Sequence, residues 1–400
     1  MKTLARTYIY IIAAALLAWL LPWTFRFVAA RPVNAPFTLY SCITKNFAFL
    51  ESDKDKETVR RDASGRTYTA TQFDSILPTF YYRQLMAKNR LPDTICGVAV
   101  KPADIRRTNF IMRQSTRDIN AVAPQVWMLM ESIPSHVDLE SPCEAFRMTD
   151  RMTVIRMSDN STDEAKSNLF NKVMAGKGFS FPLYSLHGNP TTKKEYDEGY
   201  IMIDDSRQVF HVKQMKGRPY VKNVGLDTTL RMKRAMIAEY PDREILAFLT
   251  DEQNRFYVLD RQYSLRRLPF AYDPERNDIL IIGDMFNWTA KVTDGRGYSV
   301  YALDAKTLAT VDTLRSDYKV QQSEMLSEAI FPFTLSFTSA DDKWVKPRLG
   351  GFSTTAFALN LALAAVFLFL QRRRVTAALP AVAAILVFGI FMFIPALIFR

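Results

Sequence analysis

GYIMIDDSRQVFHV, residues 199–212, sets the pattern for the middle of this chain. An apolar run from Tyr200 to Ile203 meets an acidic turn at Asp204 and Asp205, then resumes at Val209 and Phe210 just before His211. Asp and Ser between two short β-favouring runs read as strand, turn and strand. The layout returns at Ile245–Leu259 (ILAFLTDEQNRFYVL) and at Asp278–Val292 (DILIIGDMFNWTAKV), and Tyr298–Leu314 adds a further hairpin. A large β-rich domain follows. Its expected form is β-propeller-like, with hairpins turning on Asp or Asn and aromatics wedged between blades. The competing expectation is an ordinary antiparallel domain, because Asp204, Asp251 and Asp284 are not evenly spaced as in a repeat array.

Upstream of this region the pattern carries helical insertions. Asn46–Leu50 reads as a strand, Ser52–Glu57 as a polar turn, and Thr58–Arg61 and Thr67–Thr69 as two further strands. A helix capped by Thr71, with Asp74 three residues on, is expected to stop at Pro78 and resume over Phe80–Asn89. Ser167–Ala175 reads as a short helix closed by Gly176. Residues 121–156 show no clear period.

The two ends of the chain differ from the middle. Thr7–Phe25, Phe352–Leu370 and Val375–Phe399 are uncharged apolar runs, each near the roughly 20 residues that cross a bilayer as a helix. The expected layout is three transmembrane helices. A tail at 1–6 precedes a span at 7–25. A large outer domain at 26–351 follows, then a span at 352–370, a turn at 371–374 and a span at 375–399. Lys2 and Arg6 before the first run, and Arg372, Arg373 and Arg374 between the last two, place those short segments in the cytoplasm. The expected location is the cytoplasmic (inner) membrane, multi-pass, with the large domain facing the periplasm. An uncleaved anchor is expected over a signal peptide cut near Val28-Ala29-Ala30, because Arg26 interrupts the approach to that site. Asn360, midway along the second run, is suited to a helix–helix hydrogen bond or a contact with a membrane partner. The three arginines also suit contact with anionic lipid.

Charge follows the same division. The net charge is +11, but eight of the 52 basic residues lie in the apolar flanks and all 41 acids lie between Pro32 and Gly351. The middle therefore holds 44 basic against 41 acidic residues, which argues against a nucleic-acid partner. Cys42, Cys96 and Cys143 are irregularly spaced, and three reduced or buried thiols are expected rather than a disulfide scaffold.

No catalytic, cofactor-binding or metal-binding motif emerges. The three histidines, His136, His187 and His211, lack metal-ligand spacing, and no nucleophile elbow, phosphate loop or dinucleotide fingerprint is present. His211, in VFHVK, is expected to be structural. The densest polar cluster is TTKKEYDEGYIMIDD, Thr191–Asp205, which gathers Glu195, Asp197, Glu198, Asp204 and Asp205 beside Lys193 and Lys194. Such oxygens suit calcium or a carboxylate pair for glycoside hydrolysis. Without EF-hand spacing, the expectation is a solvated turn with local ion pairs. These five acids and His211 are the candidates for contact with a ligand or partner.

NFAFLE, RTYTATQFDSILPTFYYRQL, LPDTICGVAV, TTKKEYDEGY and FHVK together resemble an uncharacterised family of Bacteroidota membrane proteins known only as a domain of unknown function. The resemblance extends over about residues 36–315 and brings no catalytic residues with it. It implies proximity to ABC-transporter ATPases. The expected function is a non-enzymatic, membrane-anchored accessory subunit of a transport or envelope complex. In that reading the outer domain binds a ligand or partner, with membrane lipid and an ABC-transporter ATPase or permease subunit as partners. The alternatives are an envelope hydrolase acting on glycan or peptide, and a ligand sensor signalling through a membrane partner.

Overall fold

The computed structural model describes residues 2–29, 35–52, 58–120, 125–318, 322–337 and 346–399. The polar run at 53–57 lies outside them. The chain divides into a β-rich unit, residues 35–119 and 123–317, and a helical unit formed from residues 1–34, 120–122 and 318–400.

The β-rich unit is a succession of antiparallel meanders. Strands β1 (Phe37–Ser41), β2 (Asn46–Ser52) and β3 (Thr58–Asp62) form the first sheet. The expected strand at Thr67–Thr69 is reduced to a single bridge between Arg61 and Thr67. The helix that follows is Ala70–Ile76, capped by Thr69 and Gln72 in a reciprocal box rather than by Thr71. Gln72, three residues after Thr69, has the length to reach back to the cap amide, and Asp74 is instead buried and holds Gln84. Helix Tyr82–Ala87 follows Pro78. A two-stranded hairpin, β4 (Thr94–Ile95) and β5 (Val98–Ala99), comes next, then strand β6 (Phe110–Gln114). The unpatterned stretch holds β7 (Trp127–Leu129), β8 (Glu144–Met148) and β9 (Met152–Arg156) in one sheet, backed by helix Glu164–Gly176.

From there on the strands pair in chain order. β10 (Leu183–Gly188), β11 (Tyr200–Asp204), β12 (Val209–Met215) and β13 (Arg218–Asn223) make one four-stranded sheet. β14 (Met232–Ile237), β15 (Ile245–Asp251), β16 (Arg255–Asp260) and β17 (Leu265–Ala271) make the next. β18 (Asp278–Gly283), β19 (Asn287–Thr293), β20 (Gly297–Asp304) and β21 (Thr310–Asp317) make the last, and β6 joins it beside β18 as a fifth strand. Each sheet is open. β11 and β15 are buried along their whole length, so they read as continuous apolar runs rather than alternating ones. Three large clusters fill the space between sheets, one around Phe248, Phe256, Tyr272 and Trp288, one around Phe146, Phe170, Phe210 and Met202, and one around Ile203, Leu249, Tyr257 and Leu259.

Aspartates brace the turns of these hairpins. Asp204 accepts the Gln208 amide at 2.8 Å and the Ser180 amide at 3.0 Å. Asp251 accepts the Gln253 and Arg255 amides and the Tyr257 hydroxyl. Asp284 accepts the Phe286 and Asn287 amides and the Thr79 hydroxyl. A short acceptor side chain that satisfies turn amides is the reason Asp recurs at the reversal.

In the helical unit, Lys2–Ala29 is one continuous helix with Pro22 inside it. Its segment Thr7–Ala29 is long and apolar enough to cross a membrane, a test that an N-terminal signal sequence also passes. Three such helices were expected, and this is the one found among the described residues. The second run is helical only over Ala356–Leu370, roughly 22 Å at 1.5 Å per residue. The third is broken into Val375–Phe388 and Ile390–Ile398 by Gly389, whose φ of 55° and ψ of −133° leave the helical region. The segment 371–374 is a turn. Residues 322–337 and 347–350, expected in the outer domain, group with the helices as helix Gln322–Ile330 and the hairpin β22 (Thr334–Phe337) and β23 (Pro347–Gly350).

Candidate functional site

The acidic segment that precedes β11 does not lie in solvent. Gly199 ends it with a φ of +66°, and a Cβ there would collide with Lys213 and the Val212 carbonyl. Only glycine lets the segment lie this close to β12. Asp197 and Glu198, just ahead of it, are 5% and 2% exposed. The expected solvated turn is thus a buried network.

The network has two halves. In the first, Lys194 donates to Asp197 at 2.7 Å, to Glu239 at 2.6 Å and to the Asn189 carbonyl at 2.6 Å. Asp197 also accepts the Ser132 hydroxyl and the Gly199 amide, and Glu239 accepts the Glu198 amide and the Asn189 side chain. Burial pushes the Glu239 carboxyl above its ordinary range, against the opposing pull of Lys194 and the Glu198 amide. In the second half, Glu198 accepts Lys213 at 2.8 Å and also pairs with Arg261. Lys194, Lys213 and Arg261 thereby face Asp197, Glu198 and Glu239, so the charges of the group cancel.

His211 sits against this balance and stays neutral. Its pKa is lowered to about 4, by burial first, with Lys213 and Arg261 adding to the effect. The hydrogen bonds fix the tautomer. The Glu198 carbonyl only accepts, so Nε2 carries the proton and donates to it at 2.7 Å. Nδ1 then accepts from Tyr263 at 2.9 Å, and Tyr263 accepts from Tyr220 at 2.9 Å. The Glu198 carboxylate is 3.6 Å from Nε2, but the neutral ring makes this a contact rather than an ion pair.

The remaining acids of the segment part company. Asp204 is fully buried and serves the turn already described. Asp205 is exposed, with its amide bonded to Ser180. Glu195 is exposed and lies 3.9 Å from Arg106. The structure therefore joins Asp197, Glu198 and His211 and leaves Glu195, Asp204 and Asp205 apart. It adds Glu239 and Arg261, which come from later hairpins and which sequence reasoning missed for that reason, and Lys213, which stands two residues after His211 on β12. Lys194 was visible beside the acids. Its position three residues before Asp197 suited a helical or looped pair.

One wall of the network, through Glu239 and Tyr240, borders a cavity of about 520 Å³ where β6, β10 and β14 approach one another. His187 lines it, with a buried Nε2 that has no hydrogen-bond partner. Burial, and next the charge of Arg234, lower its pKa to about 3. Arg113 and Gln114 line the same space. A second cavity, of about 360 Å³, lies between β1 and β18 and holds Asp284, Arg83 and Arg106. Burial raises the Asp284 carboxyl. Among the described residues no cluster of three His, Cys, Asp or Glu side chains could hold a metal ion. Chemically, the ion network fastens four segments together, and its carboxylates are spent on lysine, arginine and backbone amides. The groups open to a ligand are those of the cavities.

A model of the family described as "Domain of unknown function (DUF4857)" matches residues 37–303, most of the β-rich unit. The chain belongs to this family. No curated protein matches the DUF4857 chain in sequence. Among solved structures it is similar to the Dos1 propeller, at 10% identity and a TM-score of 0.29, over 45% of this chain and 46% of that one. It is also similar to the β-propeller domain of Cps50 (Swd1) from Myceliophteria thermophila, at 11% identity and a TM-score of 0.27, over 56% and 62%. PorZ of Porphyromonas gingivalis, a surface component of its type-IX secretion system, gives 10% identity and a TM-score of 0.22, over 74% and 34%. The chain spans less than two thirds of the length of each of these structures. The DUF4857 domain is β-rich with propeller-like neighbours.

Proposed function

We propose that this DUF4857 protein is a membrane-anchored, non-enzymatic accessory subunit of a transport or envelope complex, with its β-rich unit binding a partner or ligand outside the cytoplasmic membrane. The observation that carries the reading is the apolar exterior of the helical unit. Tyr8, Ile12, Leu16, Trp19 and Trp23 stand exposed along the first helix, a surface that water disfavours and lipid accepts. Phe357, Leu361, Phe369, Leu379 and Val387 do the same on the later helices. In this reading Ala356–Leu370 and the broken Val375–Ile398 pair enter the bilayer as a hairpin turning at Arg372–Arg374, with the arginines at the cytoplasmic face. An ABC-transporter ATPase or permease is the partner class, since so little of the chain would remain in the cytoplasm.

The hydrolase alternative loses support from the same residues that suggested it. Asp197 is held by Lys194, Glu198 by Lys213 and Arg261, and Asp204 by turn amides. A ligand sensor keeps support from the His187 cavity. Purification of the tagged, natively expressed protein in mild detergent, with mass spectrometry of its companions, tests the proposal. A stoichiometric transporter subunit is the expected result. A chain that runs alone, or is released by carbonate washing of the membranes, overturns it.

A further inference from the structure

The turn between β4 and β5 contains only Cys96 and Gly97, at φ of +49° and +79°. Positive φ at both central residues is the hairpin geometry that favours Asn-Gly or Asp-Gly. Cysteine is a poor choice for the first position on conformational grounds. What it gains is a thiol aimed at the β1–β2 turn. Cys96 Sγ lies 3.3 Å from the carbonyl oxygen of Cys42, 54 residues away in the chain. The Cys42 side chain packs on the small core of Tyr82, Ile95, Val100 and Ile105, so the two turns share one apolar floor. Burial raises the Cys42 thiol, and the Cys96 thiol within hydrogen-bond reach raises it further. Both thiols are free in the structure, with Cys42 half-buried and Cys96 exposed.

We propose that Cys42 and Cys96 are a disulfide-forming pair that cross-links the β1–β2 turn to the β4–β5 hairpin. The reaction is thiol–disulfide exchange with an external disulfide, either a small molecule or an oxidoreductase. The exposed Cys96 loses its proton and attacks one sulfur of the oxidant, whose other sulfur leaves as a thiolate. The Cys42 thiolate then displaces the remaining oxidant sulfur from Cys96. Two protein thiols are oxidised and one disulfide is reduced to two thiols. Cys96 is the attacking partner because it is the thiol open to an external oxidant, whereas Cys42 is half-buried. Cys143, also exposed, has no partner thiol and serves as the internal control.

The test uses the full chain in detergent. It is equilibrated with oxidised glutathione, denatured, alkylated and digested without reductant. The expected product is a single cross-linked peptide pair containing Cys42 and Cys96, with Cys143 alkylated or carrying glutathione. The melting temperature of the oxidised protein should lie several degrees above that of the same sample after reductant. Cys42→Ser and Cys96→Ser should each abolish this reductant-sensitive difference, while Cys143→Ser retains it. Alkylation of Cys42 and Cys96 after oxidation, a bridge that includes Cys143, or a glutathione adduct that stays on Cys96 would each overturn the proposal.

Discussion

Asn360 and Gly389 occupy one another's space. The Asn360 side chain donates to the Leu386 carbonyl at 3.1 Å, and that carbonyl sits where the helix break at Gly389 interrupts the normal backbone pairing. A Cβ at Gly389 would run into the Asn360 carboxamide. Asn360 is 2% exposed, so its amide is a helix–helix bond within the chain rather than a surface for another protein. The break in the third apolar run and the polar residue in the second are two parts of one feature.

Gly389→Ala should therefore destabilise the helical unit by about 2 kcal/mol or more, from a strained φ and from the clash. Asn360→Ala should cost about 1–2 kcal/mol by leaving the Leu386 carbonyl unpaired. The double variant should be less damaged than the sum, since Asn360→Ala removes the obstacle. Thermal denaturation in detergent, followed by near-ultraviolet circular dichroism, measures all three. Strict additivity would count against the shared feature.

Stability should fall in mild acid, and His211 is one cause. Its folded pKa of about 4 lies below an ordinary value near 6.5, so the unfolded chain binds the proton more readily. The neutral-ring contribution is fully present above about pH 6.5 and declines as pH falls toward 4, by up to roughly 3 kcal/mol. His211→Gln, which keeps an amide donor for the Glu198 carbonyl, should flatten the acid limb of a stability–pH curve.

Lys194→Met should be among the most damaging single changes in the β-rich unit. It strands Asp197 and Glu239, each less than 5% exposed at the side chain, and removing one partner of a buried ion pair typically costs about 3–5 kcal/mol. Adding Glu239→Gln to Lys194→Met should recover part of the loss. Urea denaturation of the single and double variants reads the difference.

The neighbouring aspartates separate cleanly. Asp204→Ala removes acceptors for two amides and should cost about 2 kcal/mol. Asp205→Ala should stay within about 0.5 kcal/mol of wild type. Equal effects in chemical denaturation would show that the turn is not held as described.

Much of the β-rich fold was legible because its hairpins are local. Tyr200–Val212, Ile245–Leu259, Asp278–Val292 and Tyr298–Leu314 each contain two strands and their turn within one short window. The acidic segment was misjudged for the opposite reason. A run such as Lys194-Glu195-Tyr196-Asp197-Glu198 looks solvated until Glu239 and Arg261 arrive from β-hairpins dozens of residues on. The apolar flanks were read by length and composition, which see neither the broken helix at Gly389 nor the short helix from Ala356. Glycine at 389 permits the positive φ, and Asn360 gives the Leu386 carbonyl a donor.

The position of β6 has a consequence for how the chain is made. The last four strands are contiguous, but the sheet they form also takes Phe110–Gln114, which pairs with Ile279–Gly283. During synthesis, or during export from the N-terminal end, β6 emerges long before its partner exists. The sheets of β10–β13 and β14–β17 close in the meantime from local strands. For that interval the ladder groups of β6 that β18 will take have no strand to pair with, beside the apolar Phe110 and Met112.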